Sequence, residues 1–220
     1  MTPLRLYSAP MSMFGMKVHV AALEKLLPIE VVMVPFTDDH RYEPKHPEVL
    51  RINPKAQVPV LIHDGLEIFD STQIFEYLED LAPTPALWPT ETRDRATARL
   101  LEHKSDEVFF PHIVRLMGLQ SALDGDAARA AIVGARACYR EMEALLANRA
   151  YLAGGYSFAD IAFYMAQVFA ERLGAPMTEE SPKLLEWRAA MTERPAVATV
   201  IRPFADHLAS HGRPVPAFLN

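Results

Sequence analysis

Hydroxyl and carboxylate side chains stand at two places where a strand-like run of the sequence gives way to a helical one. Ser12 follows the apolar run Leu4–Ser8, and Asp70 with Ser71 follows the apolar run Leu66–Phe69. A helix N-terminus carries unpaired N–H groups and about half a positive charge, so it favours an anion. Both places therefore predict anion sites. Plain capping of the helix is the alternative at Asp70 and Ser71, and a loop without a catalytic role is the alternative at Ser12.

A further hydroxyl–carboxylate pair predicts a structural role instead. Ser157 and Asp160 have the spacing of a capping box ahead of an apolar helical run, in which the aspartate accepts a hydrogen bond from the serine backbone. Tyr156 can pack beside them as a hydrophobic staple. We expect this pair to support folding and to take no part in catalysis.

The composition is that of a folded globular protein and excludes several classes of function. Half of the 220 residues are hydrophobic, 23% are charged, and the formal net charge is −6. No run of basic residues predicts a nucleic-acid or anionic-lipid surface. The apolar runs are far shorter than the roughly 20 residues of a membrane span. Because the N-terminus has no apolar signal core, we expect a cytoplasmic protein.

Cysteine and histidine do not predict a disulfide or a metal site. Cys138 is the only cysteine, so an internal disulfide and a cysteine-rich zinc site are excluded. His103 and His112 have no Cys or Glu at ligand spacing. We therefore expect no metal, and we expect a buried and inert thiol at Cys138.

The start of the chain predicts two strands around a helix. The strands are Leu4–Ser8 and Ile29–Phe36, and the helix covers Gly15–Leu27, where Pro28 ends it. This order favours a parallel βαβ unit, because a helix separates the strands. The polar segment Thr37–Pro54 allows only a short or irregular helix.

A hairpin and another helix follow. Val58–Ile62 and Leu66–Phe69 are predicted strands, joined by an Asp-Gly turn signal. An Asp-Ser-Thr run then supplies the capping residues of a helix that reaches Leu81. Residues 1–81 therefore predict one domain with the element order βαβ-α-ββα.

The rest of the chain predicts helices only. Three prolines within residues 82–90 predict a linker. A long helical pattern over Thr92–Leu119 contains Pro111, which should kink or split it. The later helical runs are Asp126–Arg149, Ser157–Leu173, Pro182–Thr192 and Ala196–His207. Residues 91–220 therefore predict an all-helical domain.

This organisation, together with three local patterns, resembles the soluble glutathione transferases over nearly the whole chain. The patterns are Leu-Tyr-Ser-Ala-Pro-Met-Ser at 6–12, Asn-Pro-Lys-Ala-Gln-Val-Pro-Val-Leu at 53–61 with Asp70 and Ser71 after it, and Gly-Tyr-Ser-Phe-Ala-Asp-Ile-Ala at 155–162. The resemblance implies an α/β thioredoxin-like N-terminal domain that binds glutathione, followed by an all-α domain that forms the pocket for an electrophile. It is closest to a serine-type bacterial member.

The resemblance implies that glutathione binds beside Pro59. The thioredoxin-like fold has a cis-proline here, which would leave the backbone N–H and C=O of Val58 to pair with the cysteinyl part of the tripeptide. An edge-strand proline without a binding role is the alternative. Asp70 and Ser71 would hold the γ-glutamyl group at a helix N-terminus. Many relatives have Glu where this chain has Asp70.

The glycyl carboxylate of glutathione has three candidate partners. Gln57 precedes the predicted turn, and Lys45 and Arg41 lie in the irregular segment. An amide, a lysine or an arginine can each bind a carboxylate. A solvated surface position is the alternative for Lys45 and Arg41.

Ser12 is the candidate catalytic residue, because the resemblance to serine-type classes falls on this position. The thiolate of glutathione is the nucleophile, and a serine hydroxyl next to a helix N-terminus can stabilise it. Ser8 competes because it ends the strand, and Tyr7 would be the residue of a tyrosine-type mechanism. Some serine-type classes have a small hydroxyl residue where this chain has Met13.

The resemblance places the electrophile pocket between the two domains. Its candidate residues, apolar side chains near Ser12 and on the first long helix, are Met11, Met13, Phe14, Phe109, Phe110, Ile113 and Met117. Methionines adapt to ligands of varied shape, so such a pocket would tolerate several electrophiles. Packing in the core or at the domain interface is the alternative for most of these residues.

The sequence therefore predicts a glutathione transferase that conjugates the glutathione thiolate to hydrophobic electrophiles in detoxification. Glutathione is the expected co-substrate, and the resemblance implies a homodimer. A glutathione-dependent dehalogenase or ether-cleaving enzyme would need only the same thiolate, so both stay open. A binding or stress-regulatory protein on the same scaffold, without enzymatic activity, is the alternative from another class.

Overall fold

The structure, a computed structural model, describes residues 2–35, 43 and 45–219. Its contacts divide the chain into two compact units. The first consists of Met1–Ala86 and Pro195–Gly212, and the second of Leu87–Arg194 and Arg213–Asn220. The second unit therefore begins inside the predicted linker, and the last long helix belongs to the first unit.

The first unit contains a four-stranded sheet. Its strands are β1 (Leu4–Ser8), β2 (Ile29–Met33), β3 (Val60–His63) and β4 (Leu66–Phe69), in the order β2-β1-β3-β4. β1 is parallel to β2 and antiparallel to β3, and β3 and β4 form a hairpin. The predicted parallel βαβ unit and the predicted hairpin are confirmed.

Helices complete the first unit. They are α1 (Met13–Glu24), α2 (Pro47–Ile52), α3 (Ser71–Leu81) and, from the end of the chain, α9 (Pro195–Ser210). The short helix expected within Thr37–Pro54 is α2. β2 is shorter than predicted and ends at Met33, and the predicted strand residue Phe36 lies outside the described residues.

A buried ion pair fixes the chain after α3. The Lys25 Nζ lies 2.6 Å from Glu79 Oε2, and the lysine side chain is wholly buried. The same ammonium group donates hydrogen bonds to the carbonyl oxygens of Ala82 and Pro85, at 2.7 and 2.9 Å. Buried charges are tolerated when they are paired and hydrogen-bonded. Lys25 therefore ties the end of α1 to the segment that leads out of the first unit.

The second unit is helical. Its helices are α4 (Thr92–Lys104), α5 (Phe110–Met117), α6 (Asp126–Leu146), α7 (Phe158–Leu173) and α8 (Pro182–Thr192), and a 3₁₀ turn covers Ala217–Leu219. The interruption predicted at Pro111 is a π-helical turn over Ser105–Phe109, directly before α5. Because proline has no N–H, the α-helical hydrogen-bond register cannot run through this position.

Helix α7 lies at the centre of the second unit, and nearly all of its side chains are buried. Phe163 on this helix contacts the rings of Phe109, Tyr139 and Trp187. Aromatic side chains bury a large apolar area each, so this cluster supplies much of the burial in the unit. Among the described residues, no helix is both long enough and apolar enough to cross a membrane.

Asp160 is the polar centre of this apolar unit. The Ser157 N–H and hydroxyl donate to its carboxylate as a capping box, and so do the N–H of Leu152 and the indole N–H of Trp187, at 2.9 to 3.1 Å. Burial raises the pKa of Asp160 to about 6, although these four donors favour the charged form. The predicted capping box is present, and it also joins α7 to α8.

Replacing Asp160 should therefore destabilise the protein far more than the loss of an exposed cap. We expect Asp160→Ala to lower the free energy of unfolding by about 3 kcal/mol or more, because four buried donors lose their acceptor. The loss in the free energy of unfolding is measured by denaturant unfolding of the wild type, Asp160→Ala and Asp126→Ala. Asp126 is the matched control, with an almost fully exposed side chain in the first turn of α6. Equal losses in the two variants would contradict the assignment.

Candidate active site

The strand register brings the predicted site segments to one edge of the sheet. Tyr7 of β1 is opposite Val60 of β3, and Val60 is opposite Phe69 of β4. The end of β1, the start of β3 and the end of β4 therefore meet at the same edge. The loop before Ser12, the turn at Pro59 and the start of α3 leave the sheet from this edge.

Ser12 is the N-cap of α1 and is buried. Its Oγ accepts a hydrogen bond from the Gly15 N–H at 3.0 Å, and its own N–H donates to the Ala9 carbonyl oxygen. A serine hydroxyl has one proton to donate and two lone pairs. Because the cap uses one lone pair, the hydroxyl proton can still be donated to an anion beside the helix N-terminus.

Gly15 allows α1 to come close to the end of β1. A Cβ at this position would lie 2.0 Å from Ser8 Oγ and 3.2 Å from Ser12 Oγ. Both hydroxyl groups therefore lie close to a point that only glycine leaves open. Sequence reasoning treated Ser8 and Ser12 as competitors, whereas the fold places them together, and Gly15 is a site residue that it missed.

Tyr7 has different surroundings from the two serines. Successive side chains on a strand point to opposite faces, and the Tyr7 ring packs in a cluster with Ala9, Val34, Val49 and Val60. It also packs against the ring of His46, which is the N-cap of α2. The two ring centroids lie 4.8 Å apart, and the rings are tilted. Tyr7 is therefore part of the contact between the sheet and α2.

The Val58–Pro59 peptide bond is cis. β3 begins only at Val60, so the N–H and C=O of Val58 lie outside the strand ladder. Asn53 supports this turn: its amide donates to the Gln57 carbonyl oxygen at 2.6 Å, and its Oδ1 accepts from the Lys55 N–H. Asn53 is buried. Sequence reasoning gave it no role, although the Asn-Pro turn signal was visible.

Asp70 and Ser71 form the N-terminus of α3. The Asp70 Oδ1 accepts from the N–H groups of Thr72 and Gln73 at 3.0 and 3.3 Å, so Asp70 caps the helix, and Ser71 is buried. Asp70 has φ 77°, which lies in the left-handed backbone region. For a residue other than glycine this conformation costs about 1–3 kcal/mol of strain energy. Such strain is typical of functional sites.

Of the three candidate partners for the glycyl carboxylate, Lys45 and Gln57 belong to the described residues. Lys45 has a mostly buried side chain, and its Nζ lies 3.3 Å from Glu43 Oε1. Arg41 lies outside the described residues. Gln57 is exposed, with its backbone held by Asn53.

The predicted electrophile-pocket residues have mixed environments. In the first unit Met13 is buried, and Met11 and Phe14 are half-buried. In the second unit Phe109, Phe110 and Ile113 are buried, whereas 43% of the Met117 surface is exposed. The Phe109 ring contacts Tyr139 and Phe163, and the Phe110 ring contacts Phe169. Their role in a pocket stays a prediction.

A cavity of about 200 Å³ lies within the first unit, between α1, α9 and the ends of β1 and β2. None of the predicted pocket residues lines it. Its lining is mostly apolar and consists of Ser8, Ala9, Pro10, Met16, His19, Met33, Thr199, Val200, Pro203, Phe204 and His207. Because Ser8 belongs to it, the cavity adjoins the corner that holds Ser12.

Comparison with known proteins identifies the family. Residues 6–86 match the family model of the glutathione S-transferase N-terminal domain, and residues 107–195 match that of the C-terminal domain. The chain is 33% identical over 195 residues to the "Probable glutathione S-transferase parC" of Nicotiana tabacum, covering 85% of this chain and 84% of the relative. This chain belongs to the glutathione S-transferase family.

Other relatives of this chain support the same family. "Protein LigF" of Sphingobium is 28% identical over 242 residues, with 88% of this chain and 91% of the relative covered. The crystal structure of a glutathione S-transferase from Rhodospirillum rubrum F11 has a TM-score of 0.83 and 29% identity, covering 99% of this chain and 98% of that one. The thioredoxin-like N-terminal domain and the helical C-terminal domain are confirmed.

The described part of the chain contains no group of three or more His, Cys, Asp or Glu side chains that could hold a metal ion. Cys138 lies on α6, half-buried, and burial raises the pKa of its thiol.

The close contact at Gly15 predicts a specific pattern of stability changes. We expect Gly15→Ala to lower the free energy of unfolding by about 1–3 kcal/mol, because the new methyl group overlaps Ser8. In a Ser8→Gly background the same change should cost much less, because the overlapping atoms of Ser8 are gone and only the 3.2 Å contact with Ser12 Oγ remains. Denaturant unfolding of all four proteins tests this. Gly118→Ala, where the nearest atom would lie at an ordinary 3.6 Å, is the matched control.

Proposed function

We propose that this protein is an enzyme that transfers the thiolate of glutathione to hydrophobic electrophiles. The observation that carries the proposal is the geometry at one edge of the sheet: the capping hydroxyl of Ser12, the cis Val58–Pro59 turn and the N-terminus of α3 lie together there. The family of the chain supplies the ligand that fits these three elements.

Glutathione would bind at this edge, where the strands end, and would pair with backbone that lies outside the sheet. The N–H and C=O of Val58, beside Pro59, would pair with the cysteinyl backbone of the peptide. The N-terminus of α3 with Ser71 would hold the γ-glutamyl carboxylate, and the second carboxylate oxygen of Asp70 would face the ammonium group. Gln57 and Lys45 are the proposed partners of the glycyl carboxylate.

Ser12 would stabilise the thiolate. A free thiol titrates near 8.5, and lowering its pKa by about two units takes roughly 2.7 kcal/mol of preferential stabilisation of the thiolate. The Ser12 hydroxyl would contribute a hydrogen bond and the N-terminus of α1 its dipole. The packing of Tyr7 against Ala9 and His46 supports the serine and not the tyrosine in this role.

The electrophile would occupy the cavity between α1 and α9. This cavity is mostly apolar and adjoins Ser12 through Ser8. It is already open in the structure, so no buried side chain of the two units has to move to form it. Apolar concave surfaces with few polar groups are typical of small-molecule sites. The proposed site therefore differs from the pocket that the sequence predicted, which used side chains of the first long helix.

Two alternatives share the same glutathione site. A dehalogenase or an ether-cleaving enzyme would use the thiolate on a substrate with a different leaving group. A binding or stress-regulatory protein would hold glutathione without turnover. Retention on immobilised glutathione, followed by turnover of 1-chloro-2,4-dinitrobenzene and a panel of halides and aryl ethers, separates these functions.

Ser12→Ala tests the mechanism directly. We expect the pKa of the bound thiol, measured by thiolate absorbance in the ultraviolet, to rise by about one to two units toward that of the free thiol. kcat/KM should fall about 10–100-fold, since one charge-stabilising hydrogen bond is lost. Ser12→Thr, which keeps a hydroxyl, and Ser121→Ala, at an exposed position, are the controls. An unchanged thiol pKa in Ser12→Ala would exclude the proposed role.

We also propose a homodimer, on the resemblance to the family. Light scattering at micromolar concentration should then give about twice the chain mass of 24.6 kDa. The mass should stay the same when the salt concentration is raised, because a stable interface of this kind is largely apolar. A mass of one chain across the concentration series would exclude the dimer.

A further inference from the structure

Another cavity lies within the second unit, between the carboxyl end of α6 and one face of α8. Its volume is about 330 Å³, against about 200 Å³ for the cavity between α1 and α9. We call it the α6–α8 cleft. Residues 146–150 form one wall, and Lys183, Glu186, Trp187 and Ala190 of α8 form the other. None of the residues proposed to bind glutathione belongs to this lining.

The α6–α8 cleft is held open by contacts within the protein. The Glu143 carboxylate of α6 accepts hydrogen bonds from the N–H groups of Lys183 and Leu184, at 3.0 and 2.7 Å, and so fixes the N-terminus of α8 against α6. The indole of Trp187, which is only 3% exposed, donates to Asp160 at 3.0 Å. Both helices and the indole are therefore in position before a ligand binds.

The lining of the cleft carries charges of both signs. The Lys183 Nζ lies 2.8 Å from Glu186 Oε2, and each of these side chains is at least half exposed. Arg149 adds a second cation, and its guanidinium has no ion-pair partner among the described residues. The carboxyl end of α6 adds a partial negative charge, because the last four carbonyl groups of a helix have no intrahelical N–H.

This arrangement selects a ligand that carries two opposite charges. An anion alone would meet Glu186 and the carboxyl end of α6, and a cation alone would meet Lys183 and Arg149, so each would gain attraction and repulsion together. A zwitterion has a partner for each of its charges. The rest of the lining is mostly apolar, with Trp187, a leucine and three alanines, so it suits an apolar side chain.

We propose that the α6–α8 cleft binds α-amino acids with apolar side chains. The ammonium group pairs with Glu186 and with carbonyl groups at the end of α6, and the carboxylate pairs with Arg149 and Lys183. The apolar side chain packs on Trp187. Lys183 and Glu186 thereby exchange one ion pair within the protein for two with the ligand. This site shares no residue with the proposed glutathione site and goes beyond the proposed function.

Calorimetric titration with four compounds tests the three contacts one by one. Phenylalanine has all three groups, whereas 3-phenylpropanoate lacks the ammonium, 2-phenylethylamine lacks the carboxylate and glycine lacks the apolar side chain. We expect phenylalanine to bind about fivefold or more tightly than each of the others, because each of them loses an ion pair or the apolar contact. Each titration is run with and without excess glutathione, and the affinities should be the same.

Two variants identify the partner of each charge. Arg149→Gln should weaken phenylalanine binding about fivefold and should not weaken 2-phenylethylamine, which has no carboxylate. Glu186→Gln should weaken phenylalanine by a similar factor and should not weaken 3-phenylpropanoate, which has no ammonium. Arg140→Gln is the matched control, because Arg140 is an exposed arginine of α6 that does not line the cleft.

A further variant and a spectroscopic signal locate the ligand. Ala190 is exposed and lines the cleft, so Ala190→Phe should fill the cleft without entering the core and should abolish binding. Fluorotryptophan labelling gives one fluorine NMR signal for each of the two tryptophans, and Trp187 lines the cleft whereas Trp88 does not. Phenylalanine should shift the signal of Trp187 and leave that of Trp88 in place.

The results that would overturn the inference are distinct from those that would reject the proposed function. Equal affinity for all four compounds, unchanged binding in Arg149→Gln, or no binding of phenylalanine at about 10 mM would overturn it. Loss of binding in excess glutathione would place the amino acid at the glutathione site and also reject the cleft. Phenylalanine binding with the expected pattern, in a protein that transfers no glutathione, would support the cleft and reject the enzyme.

Discussion

The close approach of α1 to the end of β1 is the constraint on which the site depends. Gly15 has no side chain, so the hydroxyl groups of Ser8 and Ser12 can lie against the same turn of the helix. That approach fixes the direction of α1, whose N-terminus then faces the sheet edge, and it fixes the wall of the cavity that α1 forms with α9. One missing methyl group therefore shapes both the surroundings of Ser12 and one wall of the cavity.

A side chain caps the N-terminus of a helix at several places in the protein, and the surroundings of these caps differ. Ser12 and Asp70 cap helices that start at the open edge of the sheet, where a ligand can reach the remaining N–H groups. Asp160 belongs to a capping box enclosed by an aromatic core, and its carboxylate accepts hydrogen bonds from four donors of the protein. What differs is the number of donors that the protein itself directs at the cap: Asp160 accepts four hydrogen bonds, whereas Ser12 accepts one and Asp70 two.

The sequence predicted what depends on neighbours along the chain. The Asp-Gly hairpin, the end of β1, the cap of α3 and the capping box at Ser157 follow from local rules, and each is present. Contacts between distant segments were not predictable in this way. Gly15 is an ordinary helical residue until Ser8 lies opposite, and Asn53 is an ordinary turn residue until the Gln57 carbonyl lies within its reach. The cavity was missed because half of its wall, α9, comes from residues about 190 positions after Ser8.

The membership of α9 in the first unit has a consequence for biosynthesis. Residues 2–86 leave the ribosome before α9, yet α9 is the helix that packs on α1. Until then the growing chain exposes an apolar surface on an otherwise finished sheet and helix layer, which is a binding surface for chaperones. A stop codon before Pro195 would leave that surface open permanently. The C-terminal residues therefore complete the first-made half of the protein.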